Sequence, residues 1–187
     1  MKKYIIPAIL LVVCIISSVL FINPSAVSAF SSSVSTRKLP IYCVQTEKKQ
    51  VSISFDAAWG VEDTDDLLKI LADNDVKATF FLCGYWVDKY PDAVKKIAEA
   101  GHDIGNHSNT HPHMSQLSSE QIKNELMEVH KKVKDVTGTE MNLFRPPYGE
   151  YDNKVITAAE ETGYYTIQWD IDTLDTKRKT FLSLLKL

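Results

Sequence analysis

Apolar and polar positions alternate in two different ways along the chain from residue 51 onward. Short stretches rich in β-branched and aromatic residues are separated by longer stretches in which apolar residues recur every three or four positions. The first pattern is typical of strands and the second of helices. Strands are predicted at 51–55, 76–82, 102–106, 142–145 and 164–169. Helices are predicted at 64–72, from Pro91 to the residue before Gly101, at 119–137 and at 152–162.

The predicted helix over residues 119–137 has the most complete start and stop signals. Ser118 can cap its first turn together with Gln121, and Gly138 can close its last turn. His130 falls between the apolar positions, so we expect a surface or boundary histidine there. The apolar stripe consists of Ile122, Leu126, Val129, Val133 and Val136.

Strands that alternate with helices predict βαβ units and a parallel sheet. The polar blocks with chemical potential follow predicted strands, which is where barrel enzymes keep their active sites. A flavodoxin-like open sheet has the same local pattern, but no glycine-rich phosphate loop follows the first strand. The sequence therefore predicts an α/β fold with its site at the carboxyl ends of the strands.

Residues 1–29 have the composition of an export signal. Lys2 and Lys3 precede an almost wholly apolar run from Tyr4 to Ile22, and Val27-Ser28-Ala29 offers small residues for cleavage. The run is also long enough to cross a bilayer, so a cleaved signal peptide and an uncleaved N-terminal membrane anchor both stay open. In either case we expect the chain on the extracellular or cell-wall side, with membrane contact only through this segment.

The remaining composition narrows the class of partner. The formal net charge is −3 and becomes more negative without the two lysines of residues 1–29. No nucleic acid partner is expected for such a chain. Residues 30–48 predict a polar leader or spacer. Cys43 in this leader and Cys83 at the end of a predicted buried strand are expected to be unpaired thiols, although an exported compartment permits a disulfide.

Two histidines and one acid provide the candidate chemistry. His107 and His111 are four positions apart, a spacing that can put both imidazoles on one side of a helical turn. Neutral imidazole is a common ligand of Zn²⁺. Asp56 follows the first predicted strand and so reaches the rim of the sheet. A solvated or capping pair of histidines has the same spacing, so the pair alone does not identify a metal site.

Four blocks, taken in order, resemble the polysaccharide deacetylases of the NodB-homology family. They are Ser54-Phe55-Asp56-Ala57-Ala58-Trp59-Gly60, His107-Ser108-Asn109-Thr110-His111, Phe144-Arg145-Pro146-Pro147-Tyr148-Gly149 and Trp169-Asp170-Ile171-Asp172-Thr173-Leu174-Asp175. The match extends from about Val51 to Asp175, and its first block is similar to the sporulation-associated PdaB-type branch. The resemblance implies a distorted (β/α) barrel formed by residues 49–187.

The resemblance also implies a reaction and a cofactor. The reaction is hydrolytic removal of N-acetyl groups from amino sugars of peptidoglycan or a chitin-like polysaccharide, so the expected partner is a cell-wall polysaccharide. A divalent metal, with Zn²⁺ favoured, would be bound by His107 and His111. Sporulation or cell-wall maturation would be the setting.

Four further positions receive catalytic roles from the same resemblance. Asp56 corresponds to the catalytic base, and Arg145 to the residue that orients it. The backbone N–H of Tyr148 would face the oxyanion of the tetrahedral intermediate, on a loop that Pro146 and Pro147 stiffen. Asp175 would pair with the arginine. The alternatives are a helix-capping role for Asp56 and a turn role for Asp175.

Four aromatic side chains have two possible roles, sugar stacking or core packing. Trp59, Tyr85, Trp86 and Tyr148 are able to stack on sugar rings, and core packing is the alternative for each. His113, two residues beyond the histidine pair, is interpreted as a surface residue.

The chain departs from the family pattern at Ala57, where most members carry a second aspartate that binds the metal. Alanine cannot coordinate a cation, so another oxygen ligand is needed or the metal site is weak. The candidates for that ligand are Asn106, Glu62, Asp63 and water.

The last segment departs further. Family members continue to a Leu-x-His block whose histidine is interpreted as the general acid, and no histidine follows His130 in this chain. Thr176 replaces the family tryptophan, and the residues after it no longer resemble the family. We therefore expect a domain that is incomplete at its C-terminus, in which an apolar tail segment covers the open sheet. Two alternatives to an active deacetylase follow: a non-catalytic glycan-binding or structural remnant, and a marginally folded product.

Overall fold

The computed structural model of the protein describes residues 9–13, 17 and 37–173. The chain divides into two compact units, Met1–Arg37 and Lys38–Leu187. In the first unit, residues 9–13 and 17 are helical. None of the helices within the described ranges combines the length and apolar character needed to cross a bilayer. The predicted signal or anchor at 1–29 lies largely outside these ranges and stays a prediction, as do the expectations for residues 174–187.

The second unit is built on five parallel strands that lie side by side in chain order. Helices or turns connect successive strands, which confirms the predicted α/β class. The strands are β1 (Ser54–Ala57), β2 (Thr79–Leu82), β3 (Asp103–Asn106), β4 (Leu143–Phe144) and β5 (Tyr165–Thr166). The helices are α1 (Thr64–Asp73), α2 (Gly84–Lys89), α3 (Pro91–Glu99), α4 (Ser119–Thr137) and α5 (Asn153–Glu161). Two 3₁₀ turns span Met114–Gln116 and Pro147–Gly149.

Two elements differ from the sequence prediction. Asp56 lies inside β1, where it is paired with Phe81 of β2, and not beyond the end of the strand. Helix α2 was not predicted, because six residues are too few to show helical periodicity. It begins directly after Cys83, at the carboxyl end of β2.

The capping signals of α4 are confirmed. The Ser118 hydroxyl accepts a hydrogen bond from the Gln121 N–H at 3.2 Å, and the Gln121 side chain accepts one from the Ser118 N–H at 2.9 Å. Gly138 closes the helix with a left-handed φ of 75°. Such a reciprocal pair satisfies two backbone donors that would otherwise have no partner. The start of α4 is thereby fixed behind the loop that contains the histidine pair.

The two faces of the sheet have different functions. Successive residues of a strand point to opposite faces, and paired residues of parallel strands share a face. Asp56 and Phe81 are therefore on one face, together with Gly105. A Cβ atom at Gly105 would lie 2.4 Å from the Phe81 ring, so the glycine makes room for that ring. The opposite face carries Leu82 and other apolar residues of the core that packs against the helices.

Part of the predicted spacer extends the sheet beyond β5. The N–H of Ile41 donates to the Thr166 carbonyl at 2.8 Å, and the Ile41 carbonyl accepts from the Gln168 N–H at 2.8 Å. The Lys38 N–H donates to Asn153 Oδ1 at 2.8 Å. Residues 38–41 of the leader therefore cover an edge of β5 that the sequence left without a partner.

We expect Ile41→Pro to destabilise the protein. Proline removes the N–H that bonds to Thr166 and leaves that carbonyl without its partner, and an unmade hydrogen bond costs about 1–3 kcal/mol. The measurement is the free energy of unfolding from urea denaturation. Val44→Pro is the matched control, since Val44 lies three residues further on and is 78% exposed. Equal stability of the two variants would show that the pairing of Ile41 does not contribute to the fold.

Candidate active site

The Arg145 guanidinium contacts three side chains from β1 and β2, one of them the candidate residue Asp56. Arg145 directly follows β4 and is 5% exposed. Its Nη1 donates to Asp56 Oδ1 and its Nη2 donates to Ser54 Oγ, each at 2.8 Å. The guanidinium carbon lies 4.1 Å from the centroid of the Phe81 ring, which forms the floor under the charge. Arg145 thus holds Asp56 in a defined orientation.

His107 contacts the same two residues. Its Nδ1–H donates to the Arg145 carbonyl at 2.7 Å, which fixes the tautomer and leaves Nε2 as the free ligand atom. Nε2 lies 3.9 Å from Asp56 Oδ2. Burial lowers the pKa of His107, so the imidazole is neutral at neutral pH. A neutral imidazole whose Nδ1 is anchored to a carbonyl is the usual state of a metal-binding histidine.

The histidine pair does not lie on a helical turn, and this part of the prediction was wrong. Residues 107–113 form an irregular loop, because Ser108 and His111 adopt positive φ values of 67° and 57°. The loop is held by the Ser108 hydroxyl, which accepts from the His111 N–H at 3.0 Å. It nevertheless brings the two rings together, with centroids 5.0 Å apart. Left-handed non-glycine residues cost about 1–3 kcal/mol each and are concentrated at functional sites.

A chain of hydrogen bonds supports this loop from behind. The Ser108 N–H donates to Asn106 Oδ1 at 2.9 Å, and Asn106 Nδ2 donates to the Tyr164 hydroxyl at 3.1 Å. The Tyr164 hydroxyl is 2.7 Å from Nδ1 of His130, whose Nε2 is 2.6 Å from Glu140. His130 is a boundary residue, as predicted, but one that anchors a buried network. Burial raises the pKa of Tyr164 to about 12, so its hydroxyl stays protonated.

Three side chains could hold a metal ion at this site. The ligand atoms of Cys83, His107 and His111 all lie within 4.8 Å of one another. Burial lowers the pKa of His111, and the neighbouring His107 lowers it further. Two neutral imidazoles and a thiol fit a borderline cation such as Zn²⁺. Sequence reasoning predicted only an unpaired thiol for Cys83 and did not include it among the candidate metal ligands.

The residues considered as substitutes for the missing ligand at position 57 are not part of the Cys83, His107 and His111 cluster. Asn106 is excluded because its amide oxygen accepts the Ser108 N–H and its nitrogen donates to Leu126 and Tyr164. Glu62 is exposed and its carboxylate accepts the Val61 N–H. Asp63 is exposed and precedes α1. Asn106 points to the helix-facing side of the sheet, where it bonds to Leu126.

Exposed rings surround the entrance. Tyr148, 57% exposed and with a φ of 60°, lies with its ring centroid 4.7 Å from that of His111. The His113 ring stacks on the Tyr148 ring with centroids 4.5 Å apart, and His113 bonds to Glu150. His113 thus positions an aromatic residue, a role that its sequence position did not indicate. Trp59, 76% exposed, has its ring 5.4 Å from His111.

The other two aromatic candidates differ. Trp86 is 2% exposed and donates from Nε1 to the Gly60 carbonyl, so the core reading is correct for it. Tyr85 is partly exposed. Burial raises the pKa of its hydroxyl. Cys43 and Cys83 are both free thiols, as expected.

One site residue lies outside the described residues. Asp175 is among residues 174–187, so its pairing with Arg145 stays a prediction. Arg145 Nε is buried and has no hydrogen-bond partner within residues 37–173. A buried donor of this kind normally has a partner.

The chain belongs to the polysaccharide deacetylase family. The family model of that description matches residues 44–167, which include the first three sequence blocks. The chain is 40% identical over 136 residues to the uncharacterized protein YlxY of Bacillus subtilis strain 168, covering 73% of this chain and 43% of that protein. It is 35% identical over 130 residues to a peptidoglycan-N-acetylglucosamine deacetylase of Bacillus cereus, covering 70% of this chain and 47% of the relative.

A solved structure gives the same assignment. BA3943 of Bacillus anthracis, described as a CE4 family pseudoenzyme, superposes with a TM-score of 0.74 and 38% identity, covering 79% of this chain and 53% of that one. This similarity confirms the NodB-type α/β fold. The chain spans about half of the length of the proteins that it matches.

We expect Arg145→Lys to lower stability. Lysine cannot make both hydrogen bonds of the guanidinium or cover the Phe81 ring in the same way, and a hydrogen bond to a charged group contributes about 1.5–3 kcal/mol. Urea denaturation measures the loss. The reverse exchange Lys131→Arg, at a lysine whose side chain is 76% exposed, is the control and should leave stability unchanged. Wild-type stability of Arg145→Lys would exclude a structural role for the fork geometry.

We expect His107 and His111 to titrate below the ordinary value of 6.5, because burial is the largest influence on each. The unfolded chain then binds more protons than the folded one between the two pKa values. The stability that the neutral histidines contribute is complete above about pH 6.5 and is lost as the pH falls through the folded pKa. NMR titration of the imidazole protons, assigned with His→Gln variants, measures this. A midpoint at or above 6.5 would contradict the expectation.

Proposed function

We propose that this protein is an exported, metal-dependent N-deacetylase of peptidoglycan or a similar N-acetylated cell-wall polysaccharide, acting during sporulation or cell-wall maturation. The observation that carries the proposal is the convergence of Asp56, Arg145 and His107 through direct hydrogen bonds and a 3.9 Å contact. An acid held by a buried arginine beside a neutral histidine supplies a positioned base. The deacetylase activity of the Bacillus cereus relative supports the reaction type.

In this proposal Asp56 removes the proton from the attacking water. Its Oδ1 accepts from Arg145, so Oδ2 faces His107 and is the oxygen available to the water. The guanidinium keeps the carboxylate in one rotamer, which is the pre-organisation that general base catalysis requires. Asp175 would occupy the remaining Arg145 Nε donor.

His107, His111 and the metal complete the site. A divalent cation held there supplies Lewis acidity toward the water and the acetyl carbonyl. The Tyr148 backbone N–H donates to the oxyanion, on a turn that the Gly149 N–H closes by donating to the Pro146 carbonyl at 3.1 Å. A single oxyanion donor contributes about 2.7–4 kcal/mol to lowering the barrier.

The exposed rings of Trp59 and Tyr148 define the sugar side of the site. Both are next to His111, and their faces are able to stack on the apolar face of a pyranose ring. The His113 ring stacks on the Tyr148 ring and helps to hold it in place. An extended polysaccharide needs an open platform of this kind and not an enclosed pocket.

A non-catalytic glycan-binding role is the second candidate. Ala57 packs against the hydrophobic core and offers no ligand atom. The similarity to BA3943, described as a pseudoenzyme, also favours this candidate. A mutant of that protein is described as having restored enzymatic activity, which supports a scaffold that is retained when activity is lost.

Acetate release from N-acetylated peptidoglycan fragments tests the proposal. We expect release by the purified protein with Zn²⁺ or Co²⁺, and loss of about 10²–10⁴-fold in rate in Asp56→Asn, the range typical of a general base. Glu62→Gln is the matched control, because Glu62 is an exposed carboxylate near the end of β1 outside the convergent group.

The outcomes separate the two candidates. Release that persists in Asp56→Asn would remove Asp56 from the mechanism. The absence of release from folded wild-type protein that still binds the fragments would select the non-catalytic role. Thermal unfolding of each variant verifies that the fold is retained.

A further inference from the structure

Cys83 is a buried thiol beside the candidate active site, and the reaction proposed above does not use it. Its side chain has no solvent exposure. Sγ lies within 4.8 Å of the ligand nitrogens of both His107 and His111. Buried free cysteines usually serve as small apolar residues. The surroundings of Cys83 indicate an additional role.

The backbone fixes Cys83 between position 57 and the histidine loop. Its N–H donates to the Ala57 carbonyl at 3.1 Å. The next residue, Gly84, donates to the Ser108 carbonyl at 3.0 Å, and Tyr85 donates to the Asn109 carbonyl at 3.2 Å. The end of β2 is therefore joined by hydrogen bonds both to the end of β1 and to the loop between the two histidines.

Gly84 permits this close approach. A Cβ atom at that position would lie 2.0 Å from Asn109 Oδ1 and 3.0 Å from the Asn109 Cα. Because the second of these is backbone, a side chain at position 84 would push the histidine loop away from Cys83. The glycine at position 84 thus allows the histidine loop to approach Cys83 closely.

We propose that Cys83 is the third protein ligand of the divalent cation, and that it replaces, from the neighbouring strand, the ligand that Ala57 cannot supply. The inference rests on the proposed function for the presence of a cation at His107 and His111. A Cys-His-His set has three protein ligands and leaves one position open, as catalytic zinc sites do. A thiolate also selects Zn²⁺ or Co²⁺ over Mg²⁺ and Mn²⁺.

The geometry requires only a small adjustment. Ligand atoms around a tetrahedral zinc ion lie about 3.3–3.6 Å apart, given Zn–N and Zn–S bonds of about 2.0–2.3 Å. The three atoms are within 4.8 Å of one another, so each pair approaches by no more than about 1.5 Å. His111 is the half-buried member, and its side chain lies on a loop, so it can supply most of this movement.

Coordination exchanges a proton for the cation. In the metal-free protein the thiol carries its proton, because Sγ donates to the His107 carbonyl at 3.3 Å. On binding, the S–H bond breaks, its proton passes to the buffer, and the sulfur lone pair forms the bond to the cation. A coordinating thiol is deprotonated in this way as a rule.

Cobalt spectroscopy of the full chain tests the proposal. Cys14→Ser and Cys43→Ser leave Cys83 as the single thiol of a chain with three cysteines. We expect Co²⁺ to produce a near-ultraviolet sulfur-to-cobalt charge-transfer band with the intensity of one thiolate. Adding Cys83→Ser should abolish the band and weaken Co²⁺ binding by more than about tenfold, since the loss of outer-shell partners alone costs about 10–100-fold.

A second variant guards against misfolding of Cys83→Ser. Ala57→Asp in the Cys83→Ser background offers a carboxylate at position 57, and we expect it to restore Co²⁺ affinity without restoring the charge-transfer band. Near-ultraviolet circular dichroism verifies the fold of each variant. Recovery of affinity without the band would show that positions 57 and 83 can provide a ligand to the same coordination position of the cation.

Two results would overturn the proposal, and they differ in what they imply. If Co²⁺ binds the single-thiol chain with no charge-transfer band and with the same affinity after Cys83→Ser, Cys83 is not a ligand, whereas a metal-dependent function survives. If the folded single-thiol chain binds no Co²⁺, the metal dependence in the proposed function fails together with the role of Cys83.

Discussion

The contact between the Arg145 guanidinium and Asp56 is the interaction on which the site depends. A charge of which only 5% is exposed needs compensation, and Asp56, Ser54 and the Phe81 ring provide it from three directions. The carbonyl of the same residue fixes the tautomer of His107. The side chain and the backbone carbonyl of Arg145 therefore fix Asp56 and His107 relative to each other. Gly105 contributes by leaving space for the ring beneath the charge.

Sequence reasoning predicted the features that depend on local signals. The alternation of strands and helices and the caps of α4 follow from periodicity and capping chemistry. It failed where tertiary contacts decide. His107 and His111 meet through left-handed residues in a loop, Ile41 pairs with a strand distant in sequence, and α2 is too short for a periodic signal. For Cys83 the sequence predicted only an unpaired thiol at the end of a buried strand. Its neighbours come from β1 and from the histidine loop, which are distant in sequence.

At the strand ends, one face of the sheet carries the candidate site and the other packs against the helices. One face presents Asp56, Phe81, Cys83 and His107, and the other presents Leu82 and Asn106 to the helices. The network from Asn106 through Tyr164 to His130 then links the back of the histidine loop to the surface at Glu140. The exposed end of this network is thus connected by hydrogen bonds to the loop that carries both histidines.

The pairing of Ile41 beside β5 also constrains the order in which the chain folds. Lys38 and Asn153 are bonded although 115 residues separate them, and Tyr42 and Tyr151 are bonded across 109 residues. Contacts of such high contact order close late, since the loop entropy must be overcome before they form. The strands from β1 to β5 are neighbours in sequence and can assemble progressively. During synthesis, the segment around Ile41 is made before β1 to β5, and it remains unpaired until β5 has been added to the sheet.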